Sequence, residues 1–206
     1  MHGVNMKSIK NNDIRITKSK NNMYQALVSL LQEREFEKIT VIDICKRAKL
    51  NRMTFYNHYQ DKYDLFNDLL KIVLNDLYNH YNTLAKDLSF SKNTYECLKI
   101  FATILVDLVY DNQTLVHNIF KNEDSLASYI LKTTINETFM KIVDASGITQ
   151  KNNFPIPLIV SFFSGGTGEA FNYWLNHKDE ITKDEFLDYL CRGIKAVTDT
   201  NILSML

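Results

Sequence analysis

Apolar residues recur along this chain at spacings of three and four, the period of one face of an α-helix, from near Arg15 almost to the last residue. In the first segment, about Arg15 to Glu33, Met23, Ala26, Leu27, Leu30 and Leu31 form one stripe. Phe36 and Ile39 close the following loop onto the same core. Val41, Ile44, Cys45 and Ala48 then mark one buried face of a short helix, with Thr40 placed to cap its free backbone N–H groups. The pattern breaks at Lys49-Leu50-Asn51, where Asn51 is placed to cap a second short helix reaching about Tyr59. At about 100° per residue, Phe55 and Tyr59 share its inner side. Met53 and Asn57 lie nearly opposite, flanked by Thr54 and Tyr56 and framed by Arg52, His58 and Lys62. No acid falls on that outer side. Two short helices joined by a tight turn, the second with a hydrogen-bonding outer face, predict a helix-turn-helix that reads DNA.

The helical period continues to the end. A fourth helix starts near Asp61 or Lys62 and runs to about Leu84, roughly 30 Å, with Leu65, Leu69, Ile72, Val73, Leu77 and Tyr81 on its buried side. After a polar loop at 89–93, a fifth covers about Thr94–Tyr110 with Leu98, Phe101, Ala102, Leu105 and Leu108 inward. A short sixth covers about Gln113–Phe120, and a seventh runs from about Ser125 to Ala145, stopping at Gly147. Pro155 and Pro157 mark the start of an eighth that ends near Asn176. The ninth opens on a Thr182-x-x-Glu185 capping box and continues toward Ser204 with Phe186, Leu190, Ile194 and Val197 on one face. Six glycines and two prolines are too few for a sheet-rich fold with many tight turns. The expected architecture is all-α: a mobile basic leader at 1–14, a three-helix head at 15–62, and a helical body at 63–206, about nine helices altogether.

Charge sharpens this division. The chain is neutral overall, yet residues 1–62 carry 12 Lys/Arg against 6 Asp/Glu, and the rest reverses that balance. A basic head on an acidic body suits a head that meets phosphates and a body that does not. No apolar run is long enough for a membrane helix and the first residues lack a signal-peptide core, so no membrane partner is expected. Cys45, Cys97 and Cys191, odd in number and widely spaced, suit reduced thiols in the cytoplasm and no zinc site. Catalytic signatures are missing: no HExxH, no GxSxG, no phosphate-binding GxxxxGK, and no Glu-x-x-His before any of the five histidines. The Gly-Gly-Thr-Gly of the eighth helix follows no strand and makes a poor dinucleotide signature. Neither enzyme activity, metal nor cofactor is expected.

The segment Thr40–Leu65 resembles the N-terminal DNA-binding domain of the TetR/AcrR family of bacterial one-component regulators. Thr40-Val41, Ile44, Ala48, Leu50, Thr54-Phe55-Tyr56, His58-Tyr59 and Lys62 carry the resemblance. One departure is Lys49, where the family usually has glycine; a left-handed lysine costs roughly 1 kcal/mol. The resemblance implies a homodimer on a palindromic operator, repression by default, release by a small-molecule effector in the body, and a four-helix interface built from the last two helices of two chains.

Candidate residues follow. Arg52, Met53 and Asn57 suit base edges: Arg suits guanine, Asn adenine, Met a thymine methyl. Thr54, Tyr56 and Lys62 suit phosphates, His58 suits a phosphate or the helix end, and Thr40 is a further DNA-binding candidate. Lys18 and Lys20 suit a phosphate near a helix N-terminus or plain solvation. In the eighth helix, Gly165 and Gly166 each cost roughly 0.5–1 kcal/mol against Ala, which close approach of another helix would offset. With Phe162, Ala170 and Trp174, and Phe186, Leu190, Gly193, Ile194, Ala196 and Val197 of the ninth, they fit the dimer interface; an internal break or a ligand-facing gap is the rival. Tyr78, Tyr81, Phe101, His117, Phe120, Phe139 and Phe171 would line an effector pocket or fill a core. Two other functions stay open: a body that binds a protein partner and activates transcription, and an all-α enzyme with an unrelated head.

Overall fold

The computed structural model describes residues 18–86, 94–122, 124–145 and 156–199, and the elements among them are helical. They are α1 (Lys18–Leu31), a 3₁₀ turn (Phe36–Lys38), α2 (Val41–Ala48), α3 (Arg52–Tyr56), α4 (Lys62–Lys86), α5 (Thr94–Asp111), α6 (Gln113–Phe120), α7 (Leu126–Ala145), α8 (Ile156–Asn176) and α9 (Lys183–Asp199). Each expected helix is present. The expected leader, the start of the first helix at Arg15, the 89–93 loop, the stop at Gly147, Pro155 and the approach to Ser204 lie outside the described residues, as do the side chains of Phe162 and Val197.

α3 is shorter than the periodicity predicts, but helical hydrogen bonding continues past Tyr56. The amides of Asn57 and Tyr59 still donate to the carbonyls of Met53 and Phe55, both at 3.0 Å. α8 runs unbroken through Ser164-Gly165-Gly166-Thr167-Gly168, so the internal-break reading of those glycines falls.

The chain divides into two compact units. One comprises the residues up to Val73 together with Asp111–Thr134; the other comprises Leu74–Tyr110 and the residues from Ile135 onward. α4 and α7 each contribute to both.

In the first unit the expected stripes meet. Met23, Leu27, Leu30, Leu31, Phe36, Ile39, Ile44, Phe55, Leu65 and Leu69 are all but inaccessible to water. Phe66 and Leu70 are buried beside Leu65 and Leu69, so the first turns of α4 are apolar over a wider arc than one stripe. α6 joins this unit through polar contacts. Asn118 donates to the carbonyl of Leu31 at 2.8 Å, satisfying one acceptor that the end of α1 would otherwise leave bare. Lys121 pairs with Glu35 at 2.8 Å.

The second unit packs through rings. Phe101 lies 5.4 Å from Phe139. Trp174 of α8 stacks on Phe186 of α9 at 4.5 Å and within 3° of parallel, with Phe171 edge-on to both. The indole N–H of Trp174 donates to the carbonyl of Ile181 at 2.9 Å, fixing the turn between the two helices.

Candidate nucleic-acid interface

The geometry of the head begins with caps. Thr40 is extended (φ −109°), its hydroxyl oxygen accepts from the Asp43 amide at 3.2 Å, and the Asp43 carboxylate accepts from the Thr40 amide at 3.0 Å. The Thr40 hydroxyl donates to the same carboxylate at 2.6 Å. At the other end of α2, Lys49 takes φ 56° and ψ 43°, and Leu50 donates back to the Cys45 carbonyl at 3.0 Å. The lysine that stands where the family has glycine therefore adopts the left-handed conformation itself. It is the one non-glycine residue with positive φ among the described residues.

Asn51 then caps α3. Its side-chain oxygen accepts from the Thr54 amide at 2.7 Å and from the Thr54 hydroxyl at 2.9 Å. Thr54 is thus held with its hydroxyl proton engaged, which leaves that oxygen an acceptor. Phe55 and Tyr59 are sunk in the core at 0% and 3% exposure, and this forces the opposite side outward: Met53 is 71% and Tyr56 56% exposed. Arg52 and Asn57 are exposed beside them. The structure therefore gathers Arg52, Met53, Tyr56 and Asn57 on one acid-free surface. His58 is half-buried, with its ring 6.3 Å from that of Tyr59. Thr40 and Lys18 are exposed at the starts of α2 and α1.

Lys62, expected at a phosphate, and Lys20, for which a phosphate or plain solvation stood open, both take partners within the head. The Lys62 ammonium donates to the carbonyls of Phe36 (3.0 Å) and Glu37 (3.1 Å), lies 3.6 Å from the Glu37 carboxylate, and sits over the Phe36 and Tyr63 rings. Its side chain is only 14% exposed, so burial pulls its pKa down despite the nearby acid. These contacts make Lys62 a clamp that holds the 3₁₀ turn to the start of α4. Tyr63 shares the clamp, donating to Glu37 at 2.7 Å; burial and that bond push its hydroxyl up to about 12. Lys20 pairs with Asp68 at 3.0 Å.

Asp68 was not legible as a site residue. Its carboxylate also accepts from Tyr24 and Tyr59, each at 2.7 Å, and the two hydroxyls lie 2.9 Å apart. Burial pushes the Asp68 carboxyl up, but the three donors outweigh it and the net shift is downward. Both tyrosine hydroxyls are pushed well above their ordinary value, chiefly by burial. Also unpredicted are Lys46 and Lys49, both exposed near the α2–α3 turn; their spacing of three in an otherwise acid-free stretch was the available signal.

The residues considered for an effector pocket divide between the units. Tyr81, Phe101, Phe139 and Phe171 are buried in the second, where Tyr78 is half-buried; His117 is exposed and Phe120 half-buried on α6 in the first. Of the residues considered for dimerisation, Trp174 and Phe186 are buried against each other within one chain. Gly165, Gly166, Gly193 and Ala196 are exposed, while Ala170, Leu190 and Ile194 are half-buried. A Cβ added at any of the three glycines meets nothing within 4 Å. Tyr173 and Tyr189, exposed at 55% and 56%, extend these stripes on α8 and α9. Their helical spacing from Gly166 and Gly193 could have flagged them.

Comparison with known proteins covers most of the chain. The family described as "Bacterial regulatory proteins, tetR family" matches residues 24–69, and that described as "Transcriptional regulator C-terminal region" matches 96–196. The HTH-type transcriptional regulator YxbF of Bacillus subtilis is 27% identical over 106 residues, 51% of this chain and 27% of its own length. The HTH-type transcriptional regulator SAB2452 of Staphylococcus aureus is 28% identical over 100 residues, 48% of this chain and 52% of its own. The matched region thus spans about a quarter and about half of these relatives. The crystal structure of a TetR-family transcriptional regulator from Syntrophomonas wolfei shares the fold, with a TM-score of 0.67 at 17% identity over 90% of this chain and 97% of that one.

Proposed function

This chain belongs to the TetR family of bacterial transcriptional regulators, and from that premise we propose that it is a cytoplasmic homodimeric repressor released from its operator by a small-molecule effector. The observation that carries the reading is the outward display of Arg52, Met53, Tyr56 and Asn57 from a helix whose other side is locked into the core. Arg52 offers a fork of donors for guanine, Asn57 a donor–acceptor pair for adenine, and Met53 an apolar contact for a thymine methyl. Tyr56 and the exposed cations Lys18, Lys46 and Lys49 supply phosphate contacts. Two heads would occupy half-sites about one helical turn apart, roughly 34–36 Å.

The open faces of α8 and α9 support pairing of two chains. Gly165, Gly166, Gly193 and Ala196 let a second copy's helices approach closely, while Tyr173 and Tyr189 supply the area. Trp174 and Phe186 serve this interface from beneath, by holding α8 to α9. The aromatic-rich second unit is the place for an effector. Altering operator affinity 10- to 100-fold requires only about 1.4–2.7 kcal/mol of coupling.

The test is to capture genomic fragments with the purified chain and footprint them. Asn57→Ala should change which base is preferred at one position per half-site, by about 1–3 kcal/mol, and leave the others alone. A wild-type chain that discriminates no duplex from any other, even at low salt, would overturn the proposal.

A further inference from the structure

We propose that Asp68 is a positioning residue for DNA recognition, its carboxylate setting the roll of α3 through the hydroxyl of Tyr59; this rests on the DNA-binding reading above. α3 has five residues, too few to be stable or rigid alone, so its orientation must come from what it packs against. Phe55 and Tyr59 are its two inward anchors. The Phe55 contact is apolar and resists withdrawal from the core, but such contacts are non-directional and leave rotation about the ring poorly fixed. Tyr59 carries the directional bond.

That bond is shared in an informative way. Tyr59 and Tyr24 have two hydroxyl protons between them, and three short oxygen–oxygen contacts must be served: each hydroxyl with Asp68 at 2.7 Å, and the two hydroxyls with each other at 2.9 Å. Bonds to a carboxylate are the stronger, so both protons point at Asp68 and the hydroxyls are held together by their common acceptor. Lys20 adds a third donor at 3.0 Å and lies over the Tyr59 ring. One oxygen of α4 thus ties α1 to the end of α3. The Lys20 pair is partly exposed and weak alone; the tyrosines, almost fully buried, make the junction directional. Asn57 lies two residues before Tyr59 and faces the other way. Base reading tolerates only about 0.5 Å or 10–20° of error, so releasing the Tyr59 hydroxyl would misaim Asn57 without unfolding the head.

Full-length Tyr59→Phe and Asp68→Asn, both nearly volume-conserving, are compared with wild type on two duplexes: a genomic fragment captured by wild type, and a scrambled duplex of equal length. Fluorescence anisotropy is recorded over a KCl series, and folding is verified by thermal melting. The expected result for Tyr59→Phe is about a tenfold or greater loss on the captured fragment, equivalent to about 1.4 kcal/mol. Affinity for the scrambled duplex and the salt slope should hold. The double variant should lose no more than the worse single variant, because the two act through one bond. Should Tyr59→Phe melt below the assay temperature, the same ratio measured on Asp68→Asn decides. Equal losses on both duplexes, or full retention of preference by folded variants, overturn the role of Asp68 alone. A wild-type chain without preference overturns the DNA reading as well.

Discussion

The two units of this protein are fastened by different mixtures of contact: aimed hydrogen bonds are prominent in the first, ring packing in the second. In the first, separate elements meet through aimed hydrogen bonds: Asp68 with Tyr24, Tyr59 and Lys20, Lys62 with two carbonyls, Asn118 with the end of α1. In the second, α8 and α9 meet through stacked rings, and the Trp174 indole bonds the turn between them. Lys183 of α9 pairs with Asp107 of α5, while Gly165, Gly166 and Gly193 lie exposed beside Tyr173 and Tyr189. Burial of apolar area supplies stability with little angular preference, whereas charge-assisted hydrogen bonds lose most of their value when misaligned. A surface that must match base edges gains from the second kind of fastening. A surface that must pair with its own copy needs flatness and area more than aim.

The largest effect should come from the ring stack. Trp174 is 3% exposed and packed against Phe171, Tyr110 and Phe186, so Trp174→Ala should cost about 3–5 kcal/mol, read as a shift of the urea midpoint by far-UV circular dichroism. A loss below about 1 kcal/mol would mean that rings do not hold α8 to α9, and the contrast between the units would collapse.

Next comes the Lys62 clamp. Lys62→Ala removes the donor from two backbone carbonyls and should cost about 1–3 kcal/mol, lowering the melting temperature of the head. Because its ammonium faces the 3₁₀ turn, the slope of log affinity against log salt should stay as in wild type. A phosphate contact would instead flatten the slope by about 0.9 for each head. A flattened slope with unchanged stability would return Lys62 to the DNA surface.

What the sequence showed and hid follows the same division. Periodicity placed each helix, because burial of an apolar stripe is a local property of spacing, and it chose the inner residues of α1, α3 and α5 correctly, and those of α2 apart from the half-buried Val41. It also separated Phe55 and Tyr59 from Met53 and Asn57, and with them the outward face of α3. It could not tell that Lys20 and Lys62 take partners within the head. Both look like lysines free to reach a phosphate or water until Asp68 and the Glu37 carbonyl are brought next to them by chain 48 and 25 residues away. Asp68 itself sits among the polar positions of α4, where nothing local marks it. Trp174 is hidden in the opposite sense: a large apolar residue on a helix rich in small ones suits an interface, and the register of α9, which covers it from within the chain, is not a local property.

The smallest effect separates the two uses of a glycine. Gly166 is helical and exposed, and a Cβ built on it touches nothing. Gly166→Ala should therefore raise the stability of the isolated chain by about 0.5–1 kcal/mol, since alanine loses less backbone entropy in a helix. If a second copy packs on this face, the same methyl stands between two helices that must approach closely, and dimerisation should weaken while the single chain melts higher. Thermal melts at low concentration and sedimentation equilibrium across a concentration series read the two quantities separately. A variant that melts higher and self-associates as wild type does would place the partner surface elsewhere. A variant more stable as a monomer and weaker as a dimer would show that helix propensity is given up at this position for contact with another chain.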